Sequence, residues 1–149
     1  ATGQFTATGS LADARYKHGA VRLDNGDVLV VGGSDTRDDV GKLRSVERFD
    51  VASGRFVPAG RLIVGRYKLA DTLLVLPGNR VLVAVDDRTP EIFDVASGAS
   101  SRIDYELGDR WNFMALTRID ARTALLSGGY SEKGIVPTDQ SWIVRLPKG

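Results

Sequence analysis

Cysteine is absent from this chain, and histidine and methionine occur only once each. Without cysteine there is no disulfide framework, no zinc knuckle and no thiol nucleophile. A metal site needs several ligands, and His18 has no second histidine or cysteine to accompany it. These absences exclude disulfide-stabilised and cysteine-dependent proteins, and they predict no catalytic residue, no metal and no cofactor.

An excess of charge of either sign is also missing. The 149 residues contain 20 basic and 19 acidic side chains, with no long run of either. This near-neutrality gives no electrostatic surface for nucleic acid or membrane lipid. The longest apolar runs are strand-sized, well below the ~20 residues that a membrane helix needs. We therefore predict a soluble globular chain with neither partner, and a secreted or periplasmic location stays open.

The chain contains an internal repeat. Residues 49–54 (FDVASG) recur unchanged at 93–98, and the pattern at residues 3–17 reappears at 54–68. The apolar run that ends in Gly32 and Gly33 has a counterpart ending in Gly128 and Gly129. Several matched positions in the same order indicate three structural units of about 45–50 residues each.

Each unit contains short apolar runs separated by turn signals, which is typical of β-strands. Asn25 and Gly26 predict a hairpin turn between the first two strands. The predicted strands lie at 20–23, 28–31, 46–49, 56–57, 73–76, 80–85, 91–93, 101–103 and 142–146. Four antiparallel strands per unit, repeated radially, predict the blades of a β-propeller.

The glycine pair, the strand and turn at 46–54 and the Leu-x-x-x-Arg pattern at residues 11–15 and 62–66 resemble bacterial kelch repeats. The resemblance covers nearly the whole chain. The second unit departs from the pattern, with Val85 and Asp86 in place of the glycine pair, whereas the third keeps Gly128 and Gly129. The resemblance implies an all-β fold of kelch-type propeller blades.

The organisation expected from this pattern is one kelch-repeat region over residues 1–149. It comprises an outer strand at 1–8, blade one at 9–58, blade two at 59–104, and blade three at 105–149, which lacks its outer strand. Three twisted blades cannot close a ring, and open sheet edges are liabilities that proteins cover.

Two partners can complete such a ring. Two chains arranged head to tail would give six blades, and the first strand of each would complete the third blade of the other. Alternatively, the chain is a piece of a longer propeller whose remainder supplies the missing blades. The absence of an initiator methionine favours a processed or excised piece.

The clearest candidate site residues precede the first strand of each unit: Arg15, Tyr16, Arg66, Tyr67, Arg110 and Trp111. In kelch-like propellers this segment approaches the mouth of the central channel, so the resemblance implies an arginine and aromatic ring. Guanidinium groups beside aromatic faces suit carboxylates, whether on an acidic protein or on a sugar. The alternative is that each arginine pairs with a neighbouring blade and only fixes its position.

Other candidates have simpler interpretations. The cluster of Asp35, Asp38 and Asp39 contains Arg37 and lacks calcium-loop spacing, so a solvated loop is expected. The longest loops, at 34–44 and 131–140, are candidates for recognition.

Two functions therefore remain. The first is a non-catalytic binding and interaction scaffold that assembles through strand exchange between chains. The second is a carbohydrate-active propeller, either a lectin or a sugar isomerase.

Overall fold

A computed structural model of the chain describes residues 3–146. Within this range the structure is all-β, with one turn of 3-10 helix at Asp38–Gly41. The strands form four small antiparallel sheets. The predicted all-β class is therefore confirmed. No helix in this part of the chain is long and apolar enough to cross a membrane.

The first sheet is a meander of four consecutive strands. These are β1 (Gly19–Arg22), β2 (Val28–Val31), β3 (Ser45–Asp50) and β4 (Arg55–Arg61). The predicted hairpin joins β1 to β2, and Gly26 adopts a φ of +95° in its turn. The outer strand β4 begins before the predicted position and is seven residues long.

The second sheet repeats the order of the first. Its strands are β5 (Leu73–Leu76), β6 (Arg80–Val83), β7 (Glu91–Asp94) and β8 (Ala99–Arg102). Leu82 lies opposite Leu74 on one side and Ile92 on the other. The pattern of four strands per unit is thus present in the first two units.

The third unit is divided between two three-stranded sheets. Its strands are β9 (Trp111–Asn112), β10 (Ala115–Arg118), β11 (Thr123–Ser127), β12 (Tyr130–Ser131), β13 (Val136–Pro137) and β14 (Ser141–Arg145). The third sheet has the order β10-β11-β14, and a small sheet has the order β13-β12-β9. The strands of the small sheet were not among those predicted from the sequence.

The core lies between successive sheets. Strand β5 contacts β1 on one side and β10 on the other, so the three first strands stand side by side. Leu29, Val31, Leu82 and Leu126 are fully or almost fully buried and belong to one continuous apolar cluster. The short strands supply this cluster because continuous apolar runs, such as Val28–Val31, place apolar side chains on both faces of the sheet.

The glycine pair is required by close backbone contacts. A Cβ atom on Gly32 would lie 2.4 Å from the Arg66 carbonyl oxygen, and one on Gly33 would lie 2.8 Å from that of Tyr16. The φ angles are +59° and +94°. The exit from β2 therefore admits only glycine without rearrangement.

Two parts of the chain lie outside this pairing. Residues 3–8, the described part of the predicted outer strand, belong to none of the sheets, and the Phe5 side chain is fully exposed. At the other end, β14 pairs only with β11 among the described residues, so it is an edge strand. The third sheet consequently has no counterpart of β4 or β8 within residues 3–146.

Candidate functional site

Arg15 is held inside the first sheet by a set of local acceptors. Its side chain is fully buried and donates to the Glu47 carboxylate on β3. It also donates to the carbonyl oxygens of Gly32 at 2.8 Å and Ser45 at 3.1 Å. The same carboxylate accepts the Ala12 N–H at 2.9 Å, so Glu47 fixes the whole segment that precedes β1.

Arg66 repeats this arrangement in the second sheet. Its side chain is fully buried and lies 2.9 Å from the Glu91 carboxylate on β7, which also accepts the Ile63 N–H at 2.8 Å. The guanidinium further donates to the carbonyl oxygens of Val85 and Thr89 at 2.8 and 2.6 Å. Arg15 and Arg66 are therefore each buried in an ion pair within the chain, with Glu47 and Glu91 respectively, and both have a structural role.

Arg110 does not hold the equivalent position in the third unit. The Arg66 carbonyl oxygen accepts the Gly33 N–H of the preceding sheet, and the Trp111 carbonyl oxygen accepts the Asp86 N–H in the same way. Trp111 is therefore the counterpart of Arg15 and Arg66, and the sequence alignment of Arg110 with them was wrong by one residue. Arg110 is exposed instead, with an ion pair to Glu132 at 3.1 Å.

The left-handed residues that follow confirm this alignment. Lys17, Lys68 and Phe113 have φ angles of +56°, +55° and +53° and each lies two residues after Arg15, Arg66 and Trp111. Non-glycine residues rarely adopt this conformation, and it is often retained at functional sites. The backbone thus places two lysines and one phenylalanine at equivalent points of the three units.

These residues lie in one continuous patch with the tyrosines of the predicted motif. We call this patch the lysine–aromatic surface; it comprises Tyr16, Lys17, Lys42, Tyr67, Lys68, Phe113 and Tyr130. Its centre is the Tyr67 ring, which has three ammonium groups within 5.3 Å of its centroid. Tyr67 is buried, whereas Tyr16 and Phe113 are 40% and 49% exposed.

Lys42 connects all three units at this surface. Its ammonium lies 2.7 Å from Asp39, 3.0 Å from Asp86 and 3.7 Å from Glu132. Burial raises the pKa of the Asp86 carboxyl, although the Tyr67 N–H and Lys42 oppose this effect. Burial alone would lower the pKa of Lys42, but Asp39 and Asp86 raise it above its ordinary value. The Lys42 ammonium therefore stays charged and stabilises the buried Asp86 carboxylate.

Lys68 differs from the other two lysines of the surface. Lys17 pairs with Asp38 at 2.8 Å, whereas Lys68 forms no ion pair with a carboxylate of residues 3–146. Its ammonium donates to the Tyr130 hydroxyl at 2.7 Å and lies 4.5 to 5.8 Å from three ring centroids. Burial alone would lower the pKa of the Lys68 ammonium, but hydrogen bonds with Tyr130 and Tyr67 outweigh burial and raise the pKa above its ordinary value. This ammonium is a fixed positive charge beside aromatic rings.

The remaining candidates have local roles. Asp35, Asp38 and Asp39 each pair with a cation, namely Arg37, Lys17 and Lys42. No group of side chains in the described part of the chain has the composition of a metal site. The His18 Nδ1 atom is buried with no hydrogen-bond partner, and burial together with nearby Arg15 lowers its pKa. The aspartate loop is thus held by ion pairs, as expected for a solvated loop.

A second feature lies beside the open edge of the third sheet. A mostly apolar cleft of about 350 Å³ separates the second and third sheets next to β14. Its lining includes Leu82, Ala84, Pro90, Leu107, Trp142 and Val144. An apolar cleft next to unpaired backbone groups has the composition of a site for an added strand.

The comparisons with known proteins define the fold and leave the site open. No family model and no curated protein matches the chain. A solved structure titled "Structure of YjhT" is similar, with a TM-score of 0.76 and 13% sequence identity. The match covers 97% of this chain and 52% of that one, so the chain spans about half the length of the protein that it matches. At this identity the likeness shows a shared fold alone.

Proposed function

We propose that the chain is half of a kelch-like β-propeller, which pairs head to tail with a second copy to form a non-catalytic binding scaffold. The observation that carries this proposal is a matched pair of open features. Residues 3–8 repeat the sequence pattern of the outer strand β4 but lie outside every sheet, while β14 is an edge strand. A strand added to such an edge satisfies its free backbone groups.

A leucine in each unit supports the same pairing. Leu62 and Leu107 precede the second and third sheets, and they are 0% and 6% exposed because the preceding sheet covers them. Their N–H groups donate to the Arg44 and Arg88 carbonyl oxygens of that preceding sheet, both at 2.8 Å. The equivalent Leu11 is only partly buried. A second chain placed before the first sheet would cover Leu11 as the other two are covered.

The third sheet offers an apolar face for the proposed pairing. Leu82 and Ile92 of the second sheet lie toward the third sheet, and their counterparts are Leu125 and Ile143. Leu82 is 1% exposed and Ile92 is partly buried, whereas Leu125 is partly buried and Ile143 is 57% exposed. The third sheet therefore has an uncovered apolar face of the kind that joins the other sheets.

The lysine–aromatic surface is the proposed binding site of this scaffold. It is built mainly from the segments that precede β1, β5 and β10. The long loop at 34–44 contributes Lys42, which lies 3.7 Å from Glu132 of the long loop at 131–140. Lys68 supplies an ammonium with no carboxylate partner among the described residues, and Phe113 supplies an exposed ring. These groups suit an acidic protein segment or another acidic ligand.

A carbohydrate-active propeller is the second candidate. The exposed rings of Tyr16 and Phe113 favour it because flat aromatic faces stack on sugars. Of the arginines on which this hypothesis depends, Arg15 and Arg66 are buried in ion pairs and Arg110 is exposed. Binding to a glycan array that is lost in Tyr16→Ala, with the circular dichroism spectrum unchanged, would favour a lectin over a protein-binding scaffold.

The solution mass tests the pairing. Light scattering should give a mass near twice 16.1 kDa at micromolar concentration. Leu11→Asp should shift the mass toward the monomer, because a carboxylate cannot enter an apolar interface. Ile119→Asp, at a position 57% exposed in the turn between β10 and β11, is the matched control and should leave the mass unchanged. A monomeric mass at every concentration contradicts self-pairing.

A further inference from the structure

The apolar cleft beside β14 lies where an aromatic side chain of an added outer strand could enter. It lies between the second and third sheets and is lined by Leu82, Leu107, Trp142 and Val144. Ile143 and Tyr105, at its margin, are 57% and 53% exposed. Such an apolar cleft beside a strand edge fits a partner strand with one large apolar side chain.

The register of the first sheet identifies which residue would enter. On β4, Phe56 lies opposite Phe49 of β3, and the two ring centroids are 5.0 Å apart. Phe49 of β3 also lies opposite Val28 of β2. Val28 is four positions before Gly32, the first residue of the glycine pair. Residues directly opposite each other in an antiparallel pair have their side chains on the same face.

Val144 is the counterpart of Phe49 in the third sheet. It lies opposite Ala124, which is four positions before Gly128 of the second glycine pair. The repeat aligns Phe5 with Phe56, so an outer strand made by residues 3–8 places Phe5 opposite Val144. Val144 lines the cleft, and the Phe5 side chain on the same face would enter it.

Phe5 has no contact of this kind within its own chain. The Phe5 side chain is fully exposed, and full exposure is unusual for a phenylalanine. Its neighbours in the sequence are small and polar residues. Its burial would remove a large apolar surface from water. The exposed ring and the vacant cleft are thus complementary in chemistry as well as in position.

We propose that Phe5 of a second copy of this chain inserts into the cleft between the second and third sheets and anchors the exchanged strand opposite Val144. This inference rests on the proposed head-to-tail pairing and names the anchor and the register of that pairing. Each ring of two chains would contain two such anchors, one at each junction.

Sedimentation of the full chain and of Phe5→Ala tests the anchor. The dissociation constant of the dimer should rise at least tenfold in the variant, because truncating a buried phenylalanine is among the costliest apolar changes. Phe5 is exposed within its own chain, so folding, checked by circular dichroism, should not change. Phe113→Ala is the control, since it removes a second exposed phenylalanine ring, 49% exposed, that lies away from the cleft.

Engineered cysteines test the register, and the natural chain contains none to interfere. Arg55 lies opposite Asp50 in the first sheet, so Gln4 should lie opposite Arg145. Gln4→Cys with Arg145→Cys should give a covalent dimer under oxidation. The same Gln4→Cys with Ser141→Cys, at the far end of β14, should crosslink at least tenfold more slowly, because a disulfide needs close Cα atoms.

The outcomes separate the inference from the function on which it rests. A dimer whose affinity is unchanged by Phe5→Ala, or one that crosslinks through Ser141, overturns the anchor and leaves head-to-tail pairing in place. A chain that stays monomeric at all concentrations overturns the pairing and the anchor together. A weakened Phe5→Ala dimer that crosslinks through Arg145 supports both.

Discussion

Trp111 packs against Trp142 with ring centroids 5.5 Å apart, at the two positions that Arg66 and Glu91 occupy in the second sheet. The same junction between a strand and the segment before it is thus built twice from a buried ion pair, Arg15–Glu47 and Arg66–Glu91, and once from two indoles. The Trp111 indole N–H donates to the Leu107 carbonyl oxygen at 3.1 Å, so the indole nitrogen is not left unpaired. The junction needs a filled volume more than it needs charge.

The replacement of an ion pair by two indoles predicts how the junction of Arg66 and Glu91 responds to mutation. Glu91→Leu alone should destabilise the protein by about 3–5 kcal/mol, because it leaves the fully buried Arg66 guanidinium without its carboxylate. Arg66→Met combined with Glu91→Leu should be more stable than Glu91→Leu alone. Urea unfolding followed by circular dichroism measures both.

The exposed pair of Arg110 and Glu132 is the control for that experiment. Arg110→Met with Glu132→Leu should change the free energy of unfolding by less than about 1 kcal/mol, since both side chains are solvent-exposed in part. A double variant at Arg66 and Glu91 that is less stable than the single variant would show that the ion pair is specifically required.

Lys42 should be the most important cation of the lysine–aromatic surface for stability. Its side chain is 12% exposed and its ammonium neutralises the buried Asp86, so Lys42→Met should cost about 3 kcal/mol. Lys17→Met is the matched change, and it should cost less than about 1 kcal/mol because its partner Asp38 is half exposed. Equal losses in thermal unfolding would contradict the role of Lys42 as the link between units.

Asp27 should contribute to acid unfolding. A hydrogen bond from the Val51 N–H, assisted by Arg48 and Asn25, holds the pKa of the Asp27 carboxyl below its ordinary value despite burial. A depressed pKa in the folded state gives stability that is present above the unfolded-state pKa and is lost as pH falls through the folded-state pKa. Urea midpoints measured from pH 7 to pH 2 should therefore fall in acid.

The variant Asp27→Asn should flatten that fall, because asparagine does not titrate. Asp24→Asn, an exposed change in the same turn, is the control and should keep the acid limb of the wild-type curve. An acid limb that is identical in Asp27→Asn and the wild type would show that other carboxylates carry the effect.

Gly129 should tolerate a side chain far less well than Gly78. Both have left-handed φ angles, +83° and +77°, so alanine is strained at either position. A Cβ atom at Gly129 would also lie 2.4 Å from the Asn112 carbonyl oxygen, whereas one at Gly78 would lie 3.8 Å from the Arg80 Nε atom, an ordinary van der Waals distance. Thermal unfolding should show Gly129→Ala destabilised by at least about 1 kcal/mol more than Gly78→Ala.

The strands of the first two units were predictable from the sequence because each is a short apolar run between turn residues. β2 and β5 begin and end at the predicted residues, and the glycine pair has the close contacts that its position implied. The strands of the small sheet were missed because Trp111–Asn112 and Val136–Pro137 are only two residues long. Such short pairings depend on tertiary context more than on local pattern.

The arginine ring was mispredicted for a different reason. Arg110 precedes an aromatic residue, as Arg15 and Arg66 do, so identity of residue type favoured the wrong alignment. The left-handed φ of Phe113 determines the correct one, and a sequence does not show that angle. The glutamates that pair with the buried arginines lie on β3 and β7, more than twenty residues away in the chain. Their pairing is visible only in the folded structure.

In the proposed pairing, the open edge of β14 and the unpaired segment at residues 3–8 would form a heterologous contact, in which one molecule's head meets another's tail. Contacts of this type close into a ring only when the rotation from one copy to the next divides a full circle. A change that alters the angle between successive sheets, such as a bulkier side chain at Gly32 or Gly33, would then turn the proposed contact into an open-ended filament. In that assembly the angle between sheets would control whether the chain forms a finite particle or a polymer.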